Sequence, residues 1–101
     1  MKYNKLVRNK IPDIIKKQNE TPITHIANRT EFLKALIEKL DEECKEFIQT
    51  PNIEELADIY EVLETLMQRM GITEIELKAV KKSKQKEKGT FSQGIILDEI
   101  K

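Results

Sequence analysis

The residues with the clearest capacity for chemistry are acidic and closely spaced. Glu42-Glu43-Cys44-Lys45-Glu46 is followed, beyond Thr50-Pro51-Asn52, by Glu55-Leu56-Ala57-Asp58. Residues three apart on a helix share a face. Glu43 therefore neighbours Glu46, and Glu55 neighbours Asp58. Two helices flanking so short a break form an antiparallel hairpin, whose midpoint falls between Thr50 and Pro51. Glu46 and Glu55 are equally far from that midpoint, as are Glu43 and Asp58. The four carboxylates are thus expected in two facing rungs, roughly 4.5 Å apart at a helical rise of about 1.5 Å per residue.

Such carboxylates repel one another unless something neutralises them. An oxygen-only donor set suits a hard cation: Mg²⁺, Mn²⁺ or Ca²⁺. Mg²⁺ keeps several waters and binds through one or two carboxylates together with substrate phosphates, so the set could clamp a polyphosphate and activate a water. A plainer reading stands beside this one. A Glu-rich helix ordinarily has a solvated face, and Glu55 also suits the third position of a capping box with Asn52. Spacing alone leaves both open.

The helices that must carry these residues follow from apolar periodicity. Leu33, Leu36, Ile37, Leu40, Cys44 and Phe47 recur at helical spacing over about 29–48, behind an Asn28 N-cap with Glu31 three residues on. A second stripe, Leu56, Ile59, Tyr60, Leu63, Leu66, Met67 and Met70, marks a helix over 52–70 that stops at Gly71. At about 100° per residue, Glu43 lies roughly 60° from Leu40, at the margin of its stripe, and Glu46 roughly 60° further round. Glu42 points nearly opposite Leu40 and is expected in solvent.

A short helix over about 10–18 has Pro12 in its first turn. A capping box of Thr73 and Glu76 opens a fourth, increasingly basic helix that ends near Gly89. Residues 22–27 and Gly94-Ile95-Ile96-Leu97 are β-branched enough to pair as a two-stranded ribbon, provided it packs on the helices. The expected fold is therefore an all-α antiparallel bundle with a small two-stranded β accessory, in a single domain over 1–101, its hairpin core closed by the fourth helix. Tyr60 and Phe91 are expected in the core. His25, alone on its strand, has a structural role, and Cys44 is a small buried hydrophobe.

Composition bounds the function. The 101 residues carry 18 basic and 18 acidic side chains, a balance that argues against a general polyanion binder. The basic run of the fourth helix has no interleaved aromatic, so nucleic acid is a poor partner. One cysteine excludes a disulfide framework and favours a reducing compartment. With neither a signal-like run at the N-terminus nor a membrane-spanning apolar stretch, a cytoplasmic protein is expected.

At the two acidic motifs the sequence resembles the all-α NTP pyrophosphatases, which include MazG, the dimeric dUTPases and phosphoribosyl-ATP pyrophosphohydrolase. Their signature, EExxE then ExxD on successive helices, reads here as Glu42-Glu43-Cys44-Lys45-Glu46 and Glu55-Leu56-Ala57-Asp58. The whole chain resembles a small house-cleaning MazG-like branch, through Tyr3-Asn4-Lys5-Leu6-Val7-Arg8-Asn9-Lys10-Ile11-Pro12, Thr21-Pro22-Ile23-Thr24 and Gly89-Thr90-Phe91. It departs from that branch in having Asn9 where the branch has Asp, and from MazG proper in a shorter gap, only eight residues between Glu46 and Glu55.

The resemblance implies Mg²⁺-dependent hydrolysis of a nucleoside triphosphate to monophosphate and pyrophosphate, with Mn²⁺ as an alternative ion. It implies Glu43, Glu46, Glu55 and Asp58 as metal ligands, Glu43 and Glu46 as catalytic, and a homodimer or higher homo-oligomer. A phosphoribosyl-ATP-type substrate and a non-catalytic nucleotide-binding module are the competing readings. Matching positions make Lys5, Arg8, Lys10, Lys84 and Lys88 candidate phosphate contacts, and Phe91 could stack on a base. Lys39 is either a phosphate contact or the i,i+4 partner of Glu43.

Overall fold

The computed structural model describes residues 4–101; Tyr3 of the opening motif lies outside them. Among the described residues four helices form: α1 Ile11–Lys17, α2 Arg29–Gln49, α3 Ile53–Met70 and α4 Glu74–Lys88. Their ends have local causes. Pro12 sits in the first turn of α1, where its missing N–H costs nothing. Asn28 Oδ1 accepts from Glu31 N at 2.9 Å to start α2, and Asn52 Oδ1 accepts from Glu55 N at 2.8 Å to start α3. Gly71, with φ +70°, ends α3 in the left-handed region that a residue without Cβ enters freely. Thr73 and Glu76 form a reciprocal capping box on α4.

The all-α class is therefore as expected, but the β accessory is not. Among the described residues there is no strand. Ile23 and Ile26 are 97% and 96% exposed, and Ile95, Ile96 and Leu97 are exposed as well. A ribbon of two short strands is stable only against an apolar surface, and neither segment is laid on one.

The chain divides into two compact units, Met1–Met70 and Gly71–Lys101. In the first, α2 and α3 pack as the expected antiparallel hairpin. Its register holds to the far end. Phe32 and Arg69 are equally far from the break, and the Arg69 guanidinium lies 4.4 Å from the Phe32 ring centroid, within cation–π range.

The hairpin buries little: among the described residues only Leu36, Val62 and Glu43 are buried. Leu33, Ile37, Leu56, Leu63 and Met70 remain exposed along their stripes. Tyr60, expected in the core, is 60% exposed. Each stripe is wider than the contact that one antiparallel neighbour can cover. Cys44 is half-buried rather than enclosed.

In the second unit, α4 is followed by a segment without regular structure. Ile75, Leu77 and Val80 of α4 are exposed. Phe91 is fully exposed, contrary to the expected core position, because no apolar cluster forms around the turn that carries it. Among the described residues, no helix is long and apolar enough to cross a membrane.

Candidate metal centre

The hairpin brings the acidic motifs together. Glu43 from α2 and Glu55 and Asp58 from α3 each present a carboxylate oxygen, and the three atoms lie within 4.8 Å of one another. Glu43 is only 8% exposed. Its Oε1 lies 3.5 Å from Lys39 Nζ. Its Oε2 is buried without a hydrogen-bond partner, and so is Oε2 of Glu55. Leaving a buried acceptor unsatisfied typically costs about 1–3 kcal/mol, and more for a charged one.

The electrostatics agree with the geometry. Burial pushes the Glu43 carboxyl above its ordinary range, helped by the adjoining Glu46 carboxylate and by repulsion from Asp58; Lys39 opposes the rise. Glu55 is also raised, first by desolvation, then by repulsion from Glu46, Asp58 and Glu54. Glu46 thus stands close to both Glu43 and Glu55, yet it is exposed and outside the group of three. Of the four expected ligands, three converge and the fourth flanks them.

The donor set fits a hard cation. Oxygens on opposite sides of Mg²⁺ are about 4.2 Å apart, and on opposite sides of Ca²⁺ about 4.6–5.2 Å. Three carboxylate oxygens within 4.8 Å of one another are close enough to share one Mg²⁺, Mn²⁺ or Ca²⁺. The two orphaned oxygens are the groups that such an ion would satisfy.

Basic side chains frame the cluster. Arg8 Nη2 donates to Asp58 Oδ1 at 2.8 Å, and Nη1 lies 3.7 Å from Glu61 Oε1. Lys5 Nζ lies 3.4 Å from Glu42 Oε1, and Lys39 Nζ 3.5 Å from Glu42 Oε2. Glu42 is therefore half-buried between two lysines, not free in solvent, because the segment before α1 reaches back to α2. Lys39 makes both the i,i+4 contact to Glu43 and the i,i+3 contact to Glu42.

Lys10 is exposed at the start of α1. Lys84, Lys88 and Phe91 are exposed in the second unit. His25, in the loop before α2, lies 2.9 Å from Glu31 through its Nε2, a structural pairing.

Sequence reasoning missed two participants, Glu42 as the anchor of Lys5 and Glu61 as the second partner of Arg8. Glu61 had a signal, since it lies one turn beyond Asp58 on the same face. Comparison with protein-family models, with curated proteins and with solved structures gave no match.

Proposed function

We propose that the chain is a Mg²⁺-dependent nucleoside triphosphate pyrophosphohydrolase, releasing pyrophosphate and a nucleoside monophosphate in the house-cleaning of noncanonical nucleotides. The observation that carries this reading is Glu43: a carboxylate 8% exposed, with one oxygen unpartnered, aimed at two more carboxylates across the hairpin. Lys39 faces one oxygen of Glu43, and the other is left open to a cation.

Glu43, Glu55 and Asp58 would hold Mg²⁺, or Mn²⁺ in its place, with Glu46 at the edge. When bound, the ion neutralises charge on the substrate's phosphate oxygens. Glu46, exposed beside the cluster, holds the attacking water and takes its proton as the water oxygen bonds to the α-phosphorus. The bond from that phosphorus to the bridging oxygen breaks, and the electron pair leaves with pyrophosphate. Glu43, whose carboxylate adjoins that of Glu46, would hold the ion beside it. Lys5 and Arg8 supply the nearby positive charge, and Lys10 is a proposed phosphate contact on the resemblance alone. Lys84, Lys88 and Phe91 are proposed substrate contacts on the resemblance alone. A second copy of the chain covers the exposed stripes of α2 and α3, whose own contact buries only Leu36 and Val62 among apolar residues.

Pyrophosphate release is to be measured on a panel of normal and modified nucleoside triphosphates with Mg²⁺, with Glu43→Gln as control. Release that requires Mg²⁺ and disappears in the variant is expected. Absence of release from every member, with Mg²⁺ still bound, would overturn the hydrolase reading. Light scattering on the same sample reports the oligomeric state, and a monomer would remove the second copy.

A further inference from the structure

Besides Lys39 on Glu43, the cluster has a second side-chain cation on it, the guanidinium of Arg8. It donates to Asp58 at 2.8 Å and reaches Glu61 at 3.7 Å. Lys5, three residues earlier, lies on Glu42 of the opposite helix. Residues 5–8 therefore bridge α2 and α3 beside the three converging carboxylates, with one basic side chain on each helix. We propose that Arg8 is an internal counter-ion that the divalent cation displaces from Asp58, so that cation binding releases a guanidinium to grip the anionic part of the substrate. This rests on the metal-centre reading above.

Three features make the exchange favourable. The first is that the pair is weak. The Arg8 side chain is 59% exposed and that of Asp58 37%, and exposed ion pairs contribute only about 0–1 kcal/mol. A divalent ion held by three carboxylates outcompetes it. The second is that guanidinium cannot discharge itself by losing a proton, so two cations on Asp58 repel and the mobile one departs. The third is that only the side chain must move. The Arg8 backbone is pinned where Ile11 N donates to its carbonyl oxygen at 3.0 Å, and Lys5 keeps the segment on α2. Glu61, outside the converging three, offers a waiting station. From there the planar fork can take two phosphate oxygens at once, which a lysine cannot.

This exchange couples the two ligands, and the coupling is reciprocal: whatever phosphate does to cation affinity, the cation does to phosphate affinity. The test is calorimetric titration of Mn²⁺ into the full-length chain, with and without inorganic phosphate, for wild type, Arg8→Gln and Arg8→Lys. Arg8 is on the surface, so both variants are expected to fold.

In wild type, phosphate should tighten Mn²⁺ binding several-fold. In Arg8→Gln, Mn²⁺ alone should bind about 2- to 5-fold more tightly, the loss of a competing pair worth at most about 1 kcal/mol, while the phosphate effect largely disappears. Arg8→Lys should keep wild-type affinity for Mn²⁺ alone and lose most of the phosphate effect. Unchanged or weaker Mn²⁺ binding in Arg8→Gln, or full phosphate coupling without the guanidinium, would sink the exchange while leaving the metal centre intact. No Mn²⁺ binding by wild type would overturn the metal centre itself, and the exchange with it.

Discussion

Helices α3 and α4 open with the same residue pattern, a capping side chain followed three residues later by glutamate. At α4, Thr73 Oγ1 accepts from Glu76 N at 3.1 Å, and the Glu76 carboxylate returns to Thr73, accepting from its backbone N–H at 3.4 Å and from its hydroxyl at 2.9 Å. At α3, Asn52 accepts from Glu55 N at 2.8 Å, but the Glu55 carboxylate does not close the box. It sits beside Glu43 and Asp58 with one oxygen unpartnered. A local partner was in reach, and the carboxylate is directed elsewhere. Its hydrogen-bonding capacity is left open, which supports the proposal that the group is held for a cation.

The sharpest way to break this comparison is to remove each glutamate in turn. Glu55→Gln should lower Mg²⁺-dependent pyrophosphate release by about 100-fold or more, since even residues that merely support a metal ligand are worth 10–100-fold. Glu76→Ala should leave turnover alone and cost about 0.5–1 kcal/mol of stability, the worth of a cap interaction. Steady-state kinetics with thermal melts on both variants measures the contrast. Equal losses of activity would dissolve it.

The raised carboxylates give the next effect. Glu43 and Glu55 both hold their protons more tightly folded than unfolded. Their contribution to stability is therefore fully present below the ordinary value of 4.5 and is lost as pH rises through the raised values. Without divalent ions, melts should show the native state gaining stability at these two groups as pH falls from neutral toward 4.5. Glu43→Gln should flatten that gain and stabilise the ion-free protein at neutral pH by about 1 kcal/mol, the scale of relieving an unsatisfied buried charge. Binding a divalent ion requires the ionised forms, so Mn²⁺ affinity should fall over the same acid interval, with protons released on binding. Calorimetry in two buffers of different ionisation enthalpy counts those protons, and a count of zero would separate the raised carboxylates from the ion.

Much of this centre was legible because it depends on local geometry. The three-residue spacing and the symmetric placement about Thr50 and Pro51 determine the rungs wherever two helices form. Phe32 over Arg69 shows the same register carried to the other end of the hairpin. What was not legible depended on distant partners. Glu42 reads as a solvent residue on its own helix, and its lysine comes from 37 positions away. An apolar stripe says that a face seeks cover without saying what provides it, so Tyr60 and Phe91 were expected inside and are exposed. The β-branched runs at 22–27 and 94–97 state a preference that only a partner strand can satisfy, and they form no regular structure without one.

The smallest effect tests whether the Asn52 cap serves the centre as well as the helix. Thr73→Ala and Asn52→Ala each remove one N-cap acceptor, and each should cost about 1 kcal/mol in unfolding. In ion affinity they should differ. Asn52 holds the backbone of Glu55 itself, so releasing it loosens the first turn of α3, where one carboxylate of the cluster is anchored. Asp58, one turn further in, is held by the continuing helix. Asn52→Ala should thus weaken Mn²⁺ binding by a few-fold, well short of the Glu55→Gln loss, while Thr73→Ala leaves it unchanged. Restoring the acceptor with Asn52→Asp or Asn52→Ser should recover both stability and affinity, since either side chain caps as well as asparagine. If affinity recovers with stability in every variant, the cap is part of what positions the centre. If stability recovers and affinity does not, the asparagine acts on the ion through something other than the Glu55 backbone.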